Sequence, residues 1–378
     1  MEAATTTGAA EAQVASAKPL ICIVDGSSDV SGAFVAARRE AILLADEADF
    51  VLLMSNRSRI PDEQLKAFVR VYRLPIVSLR RSVWVALMYL PALLYCSWLI
   101  RGILRRERCS RLQFNDFHFA HGAVLRALGY RGRKATWVRL DPLKFGTIGR
   151  LWLALARLSS DRLIAVSKYI RGRVAAPDVE IVFDPVPDVP VLMPSSEPNL
   201  VFMGSYQTIK GQKEAIEAFH RIAGKHPAAK LIFYGSDMGL PGSQAYFAEL
   251  RDQAQLGAGA GRIEFRPIVK DPADALKSAR AALCFSRSEP FGLVCQEASA
   301  YGIPMIATRS GGPEEIIEDG HTGYLVDVDD VAAMSNRMDQ LLSDPELARR
   351  LGAAGPEIVR KRFRPSDYAN SLRHIYDL

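Results

Sequence analysis

Two carboxylates with a fixed spacing open the question of chemistry. Glu289 and Glu297 lie eight positions apart in the stretch EPFGLVCQE. An apolar run, Ala281 to Phe285, precedes them and reads as a buried strand. A turn rich in breakers, Ser286 to Gly292, follows, and then a helix is expected from about Leu293 to Tyr301. Glu289 therefore belongs to a loop and Glu297 to a helix, roughly 7 Å further along its axis at 1.5 Å per residue. The backbone N–H groups of Phe291, Gly292 and Leu293 would open that helix, and such a terminus attracts an anion. A diphosphate resting there, with one acid toward each end of a longer ligand, fits the dimensions of a nucleotide sugar.

The elements that must position these residues repeat one pattern. Met305 to Ala307 is a second short apolar strand, followed by the turn Gly311-Gly312-Pro313 and another helix. Strand, loop, helix, strand, loop, helix is the parallel doubly wound arrangement, in which ligands bind at the carboxyl ends of strands. The amino half repeats it. Leu20 to Val24 is expected as the first strand, ending in Asp25-Gly26-Ser27-Ser28, with Ser31-Gly32 ahead of a helix from Ala33 to about Leu44. Phe50 to Met54, Leu74 to Val77, Leu112 to Phe114 and Ala135 to Leu140 continue as strands. His118 follows the Leu112 strand and His121 comes a turn later, in a chain with six histidines. Arg139 ends the Ala135 strand and is a candidate for phosphate or acceptor.

The motif set EPFGLVCQE, GIPMIAT and GGPEEIIEDGHTG resembles the retaining GT-B glycosyltransferases, specifically glycosyltransferase family 4. The resemblance implies α/β architecture: two Rossmann-like, doubly wound parallel-sheet domains facing across a cleft. It implies that Glu289 binds sugar hydroxyls, that Glu297 binds the ribose and that His118 touches the donor sugar, with His121 as a competitor. Gly26 and Gly32 are candidates for the family's first glycine loop, opposite the diphosphate. The family's Gly-Arg-Leu pattern followed by Lys-Gly is matched at Gly204, Lys210 and Gly211, but Ser205 stands where an arginine usually binds the diphosphate. Either Arg309 or Lys213 replaces that arginine, or Lys210 carries the phosphate alone. The base is expected against the loop at Ile268. Retention is implied through front-side attack assisted by leaving-group oxygens, with no metal and no cofactor beyond the UDP- or GDP-sugar co-substrate. Asp327-Val328-Asp329 reads as a turn and helix cap before Val331.

The chain has 378 residues, enough for two domains. Residues 1–18 read as a disordered tail, 19–190 as an acceptor-side domain, 191–362 as the nucleotide-sugar domain, and 363–378 as a helix crossing back to the first. The proline-dense Asp184 to Pro190 is the expected linker. A net charge of +6 favours anionic partners, and no nucleic-acid module is recognisable. The five scattered cysteines form no CxxC pair, which suggests a reducing compartment and no zinc site.

Residues 80–108 join a 19-residue uncharged run to basic shoulders. From Arg70 to Leu112 there are nine Lys or Arg against one acid, Glu107. Pro91, the flanking charges and the need to keep one sheet on one side of a bilayer all argue against a span. Trp84, Tyr89, Tyr95 and Trp98 with those arginines suit the interface of an anionic membrane. The expected protein is therefore a cytoplasmic, peripheral transferase acting on a glycolipid, lipid-linked oligosaccharide or polysaccharide precursor. The alternatives are a nucleotide-sugar epimerase on the same fold and a non-catalytic membrane adaptor.

Overall fold

The computed structural model describes residues 18–76, 83–176 and 178–378. Apart from Lys18, the expected tail falls outside them, as do Val77 and the Arg80–Arg81 pair. The chain divides into two compact units, one of residues up to Asp184 together with Ser366–Leu378, the other Pro185–Pro365.

Among the described residues the first unit holds a seven-stranded sheet in the order β3-β2-β1-β4-β5-β6-β7. Its strands are β1 Leu20–Asp25, β2 Asp49–Ser55, β3 Arg70–Leu74, β4 Arg111–Phe114, β5 Arg133–Val138, β6 Arg162–Ala165 and β7 Glu180–Ile181. Every pairing is parallel. The second unit holds six strands in the order β10-β9-β8-β11-β12-β13. These are β8 Asn199–Met203, β9 Lys230–Gly235, β10 Ile263–Pro267, β11 Ala281–Cys284, β12 Met305–Thr308 and β13 Gly323–Val326, again all parallel. Parallel strands need helical crossovers that cover both faces, which is why the central strands read as unbroken apolar runs.

One strand differs from the sequence expectation. The strand placed at Leu74 to Val77 ends at Leu74 and begins at Arg70. It is the sheet edge, with Arg70 and Arg73 exposed, so its pattern is polar and lacks the apolar run by which the inner strands declare themselves. Pro91 likewise does not interrupt its segment. One helix runs Val83–Arg106 through it, and the inward Cys96, Ile100 and Leu104 pack on Cys22, Val24, Val51 and Leu53.

Each sheet reverses its strand order once. In the first unit the reversal lies between β1 and β4, and in the second between β8 and β11. In open α/β sheets this switch point is where adjacent loops diverge and leave room for a ligand.

Candidate active site

In the second unit, Lys210 and Glu289 leave the two strands that flank the switch point, β8 and β11. The Lys210 Nζ lies 2.7 Å from the Glu289 Oε2, and the Ser286 hydroxyl donates to the same oxygen at 3.0 Å. Both partners are largely shielded, with side-chain exposures of 28% and 15%. Burial pushes the Lys210 pKa down, but the Glu289 charge outweighs it and the ammonium ends above its ordinary value. Lys210 is therefore a fixed cation at neutral pH.

Gly211 explains how the loop comes so close. Its φ is +79°, and a Cβ there would lie 2.1 Å from the Phe285 carbonyl oxygen. Only glycine allows the β8 loop to rest on the exit of β11. The Glu289 backbone is equally fixed: its N–H donates to the Ser310 carbonyl at 3.0 Å, and its carbonyl accepts from the Gly312 N–H at 2.8 Å. A Cβ on Gly312 would lie 2.0 Å from the Phe291 oxygen, so the GG turn is shaped to accept the EPFG loop.

The helix after Glu289 runs Leu293–Ala300, with Gly292 at φ +98° as its N-cap and no side chain capping it. Phe291 is buried edge-on against Phe363 at 5.5 Å between ring centroids. Glu297 lies on the helix, half-buried. The buried Cys284 thiol lies 3.8 Å from the Ser286 hydroxyl, and Cys295, also buried, is on the helix Leu293–Ala300. Ile268 stands exposed at the carboxyl end of β10.

Ser205 is held by the Gln207 amide, which donates to its hydroxyl at 2.8 Å. Neither cation considered as its replacement is uncommitted. Arg309 bonds Asp319 at 2.7 Å and Lys213 bonds Glu249 at 2.5 Å. Arg287, on the β11 loop, bonds Glu214 and Asp329, and Lys210 is the cation that stands beside Glu289.

In the first unit, Gly26 and His118 meet at the β1–β4 switch point. A Cβ on Gly26 would lie 2.9 Å from the Phe119 ring and 3.8 Å from the His118 Nε2. His118 stacks on Phe119 at 4.5 Å, and its Nδ1 is 3.7 Å from the Asp116 carboxylate. Gly32 is the exposed first residue of the helix Gly32–Leu43, whose cap Ser31 accepts from the Phe34 N–H at 3.2 Å. His121 is 3% exposed, and burial, with His118 nearby, lowers its pKa to about 4. It is a neutral core histidine.

Arg139 requires a correction. It does not face a ligand: its side chain is buried, stacked on Trp137, and bonded to Glu40 at 3.0 Å, Asp184 at 3.1 Å and Asn115 at 3.0 Å. Glu40 also accepts from the hydroxyls of Tyr368 and Tyr376 in the helix Pro365–Tyr376, at 3.0 and 2.9 Å. A buried guanidinium needs these acceptors, and they engage each of its three nitrogens. The cap before Val331 is also shifted, since Asp330 rather than the preceding acids accepts from the Ala333 N–H.

Ser286, bonded to Glu289, is a candidate absent from the sequence expectations, although it lies three positions before Glu289 on the same loop. Trp152, 6.1 Å from the His118 ring, comes from a different helix and left no local signal. A cavity of about 730 Å³ lies elsewhere, at the amino ends of β4 to β6, lined by Arg111, Arg133 and Arg162. It is at the wrong end of the strands for the chemistry described here.

Two parallel α/β units of this topology define the GT-B fold. The structure matches the Anabaena protein HepE solved in complex with UDP-glucose, with TM-score 0.78 and 17% identity over 94% of this chain and 98% of that one. A family model described as glycosyl transferases group 1 matches residues 190–358. A GDP-mannose-dependent alpha-(1-6)-phosphatidylinositol monomannoside mannosyltransferase of Mycolicibacterium smegmatis is 30% identical over 271 residues, 63% of this chain and 69% of its own length. The N-acetyl-alpha-D-glucosaminyl L-malate synthase of Bacillus anthracis is 32% identical over 181 residues, 48% of this chain and 45% of the relative. The chain thus spans about half the length of some curated relatives that it matches. It belongs to the glycosyl transferases group 1.

Proposed function

We propose that the protein transfers a sugar from a UDP- or GDP-sugar to a hydroxyl acceptor with retention of configuration. The observation that carries this is the Lys210–Glu289 pair, 2.7 Å apart at the switch point of the second unit, in a chain of this family. Lys210 and the helix N-terminus at Gly292 would hold the diphosphate and stabilise its charge as the sugar leaves. Glu289, oriented by Ser286, would hold sugar hydroxyls, and Glu297 the ribose. His118 is assigned to the donor sugar, Ile268 to the base, and the backbone at Gly26, Gly32, Ser205, Phe291 and Leu293 to the rest of the donor.

The reaction is proposed to run by front-side attack, the departing diphosphate oxygen taking the acceptor proton, without a divalent metal. The acceptor is read as a glycolipid, lipid-linked oligosaccharide or polysaccharide precursor on the cytoplasmic side of a membrane. The phosphatidylinositol mannoside enzyme among the relatives supports a lipid acceptor. Neither an epimerase nor a non-catalytic adaptor is favoured by these relatives.

The test is transfer by the purified protein from a panel of nucleotide sugars, with Glu289→Ala and Glu297→Ala alongside. Glu297→Ala is expected mainly to raise KM for the donor, and Glu289→Ala to lose both binding and turnover. Full activity in Glu289→Ala would remove the assignment.

A further inference from the structure

The helix Val83–Arg106 turns only one side to the sheet. Its other side exposes Met88, Leu90, Leu94, Tyr95 and Trp98 at 49–62%, where a helix covering a soluble domain would be polar. The Tyr95 and Trp98 rings stack at 6.4 Å while remaining exposed. The same is true of a second helix, Gly146–Ser159. It buries Trp152 and Ala156 and presents Ile148, Leu151 and Leu158 at 43%, 59% and 70%. These three follow i, i+3, i+10, a continuous outward stripe.

Both stripes belong to one face of the first unit. The crossovers β3 to β4, β4 to β5 and β5 to β6 all move the same way across the sheet, so right-handed connections put their helices on the same side. Packing agrees: the short helix His121–Ala127 lies against both. Scattered exposed leucines are ordinary, but two stripes on helices that flank the short helix His121–Ala127 on one face form an apolar surface that calls for a cover.

Charge identifies the cover. These three helices contain no aspartate or glutamate, and they carry Arg101, Arg105, Arg106, Arg126, Arg150 and Arg157. Beside Trp98 the surface has a hollow of about 340 Å³ lined by Arg101, Arg105 and Arg106. Among the described residues no helix is long and apolar enough to cross a membrane. Apolar stripes with interfacial aromatics and an arginine-rich rim, in which Arg157 pairs with Asp178 and Arg106 lies near Glu107, match the acyl–headgroup boundary of an anionic bilayer.

We propose that this face, formed jointly by Val83–Arg106 and Gly146–Ser159, seats the first unit on an anionic lipid surface. The inference deepens the proposed function and rests on it only for the idea that the acceptor is lipid-linked.

The experiment is co-sedimentation of the full chain with phosphatidylcholine vesicles, with and without phosphatidylglycerol, at low and high salt. Binding should require phosphatidylglycerol and weaken with salt. The double variant Arg105→Gln, Arg106→Gln should bind about 25-fold more weakly, at about fivefold per arginine. Leu94→Glu with Leu151→Glu should reduce binding at least tenfold, whereas Leu256→Glu, on an exposed residue of the second unit, should not. Absence of binding at low salt, or an equal effect of Leu256→Glu, would overturn the proposal. So would a dimer in light scattering that the leucine variants abolish without any vesicle binding. UDP and GDP titration of the same variants keeps the two questions apart, because their nucleotide affinity is expected to equal that of the unsubstituted chain.

Discussion

Replacing Lys210 by alanine separates the roles of the two charges at the switch point. The ammonium is 2.7 Å from Glu289, whereas Arg287, Arg309 and Lys213 are committed to other carboxylates. A hydrogen bond to a charged group contributes about 1.5–3 kcal/mol, so losing the Lys210 contact to a diphosphate should weaken UDP or GDP binding about 10- to 150-fold. Glu289→Gln should act in the opposite sense on the free diphosphate. It removes the carboxylate that competes for Lys210, so the nucleotide should bind equally well or more tightly, while transfer from the full donor falls. Isothermal titration of the three proteins with UDP and GDP, paired with turnover measurements, reads both effects. A Kd in Lys210→Ala within twofold of the original chain would refute the assignment of Lys210 to phosphate. Weaker diphosphate binding in Glu289→Gln would refute the competition argument.

Two further outcomes concern the first unit. Arg139→Met leaves Glu40 and Asp184 buried without their cation, and should cost about 3–5 kcal/mol of stability by urea denaturation. A loss below about 1 kcal/mol would show that the network is not structural. His121 has a folded pKa of about 4, below the ordinary 6.5, so the unfolded chain takes up the proton first as pH falls. Stability from this group is full above pH 6.5 and is lost on acidification toward 4, about 2 kcal/mol of it by pH 5. In His121→Leu, thermal or urea unfolding at pH 7 and pH 5 should show a loss smaller by that amount, and an unchanged pH dependence would refute the reading.

The elements that carry the second-unit candidates could be read from the chain because their signals are local. A buried parallel strand is an apolar run, a loop at its end is a cluster of breakers, and the helix after it has its own periodicity, so Glu289, Glu297 and the GG turn follow one another within a single stretch. Lys210 could be named from its own loop, since β8 and its glycine are equally local. What remained hidden was what distant segments do to a side chain. Arg139 ends a strand just where a ligand-binding cation could stand, and only folding brings Glu40 and Asp184 against it, 99 and 45 positions away in the chain. Ser286 could have been found at its spacing from Glu289, whereas Trp152 beside His118 could not.

The outward leucines of Gly146–Ser159 make the same point from the surface. A sequence shows an amphipathic period but not which side of it the core occupies. Apolar residues are expected to face inward, and here Trp152 and Ala156 took the inner side and left Ile148, Leu151 and Leu158 outside. By itself the sequence determined the order of strands and loops and the two spaced acids, because backbone hydrogen bonding and local turn chemistry act over a few residues. Tertiary structure alone decided which charges are spent on one another and which apolar faces stay uncovered, because burial and ion pairing depend on partners that the chain brings together only when it folds.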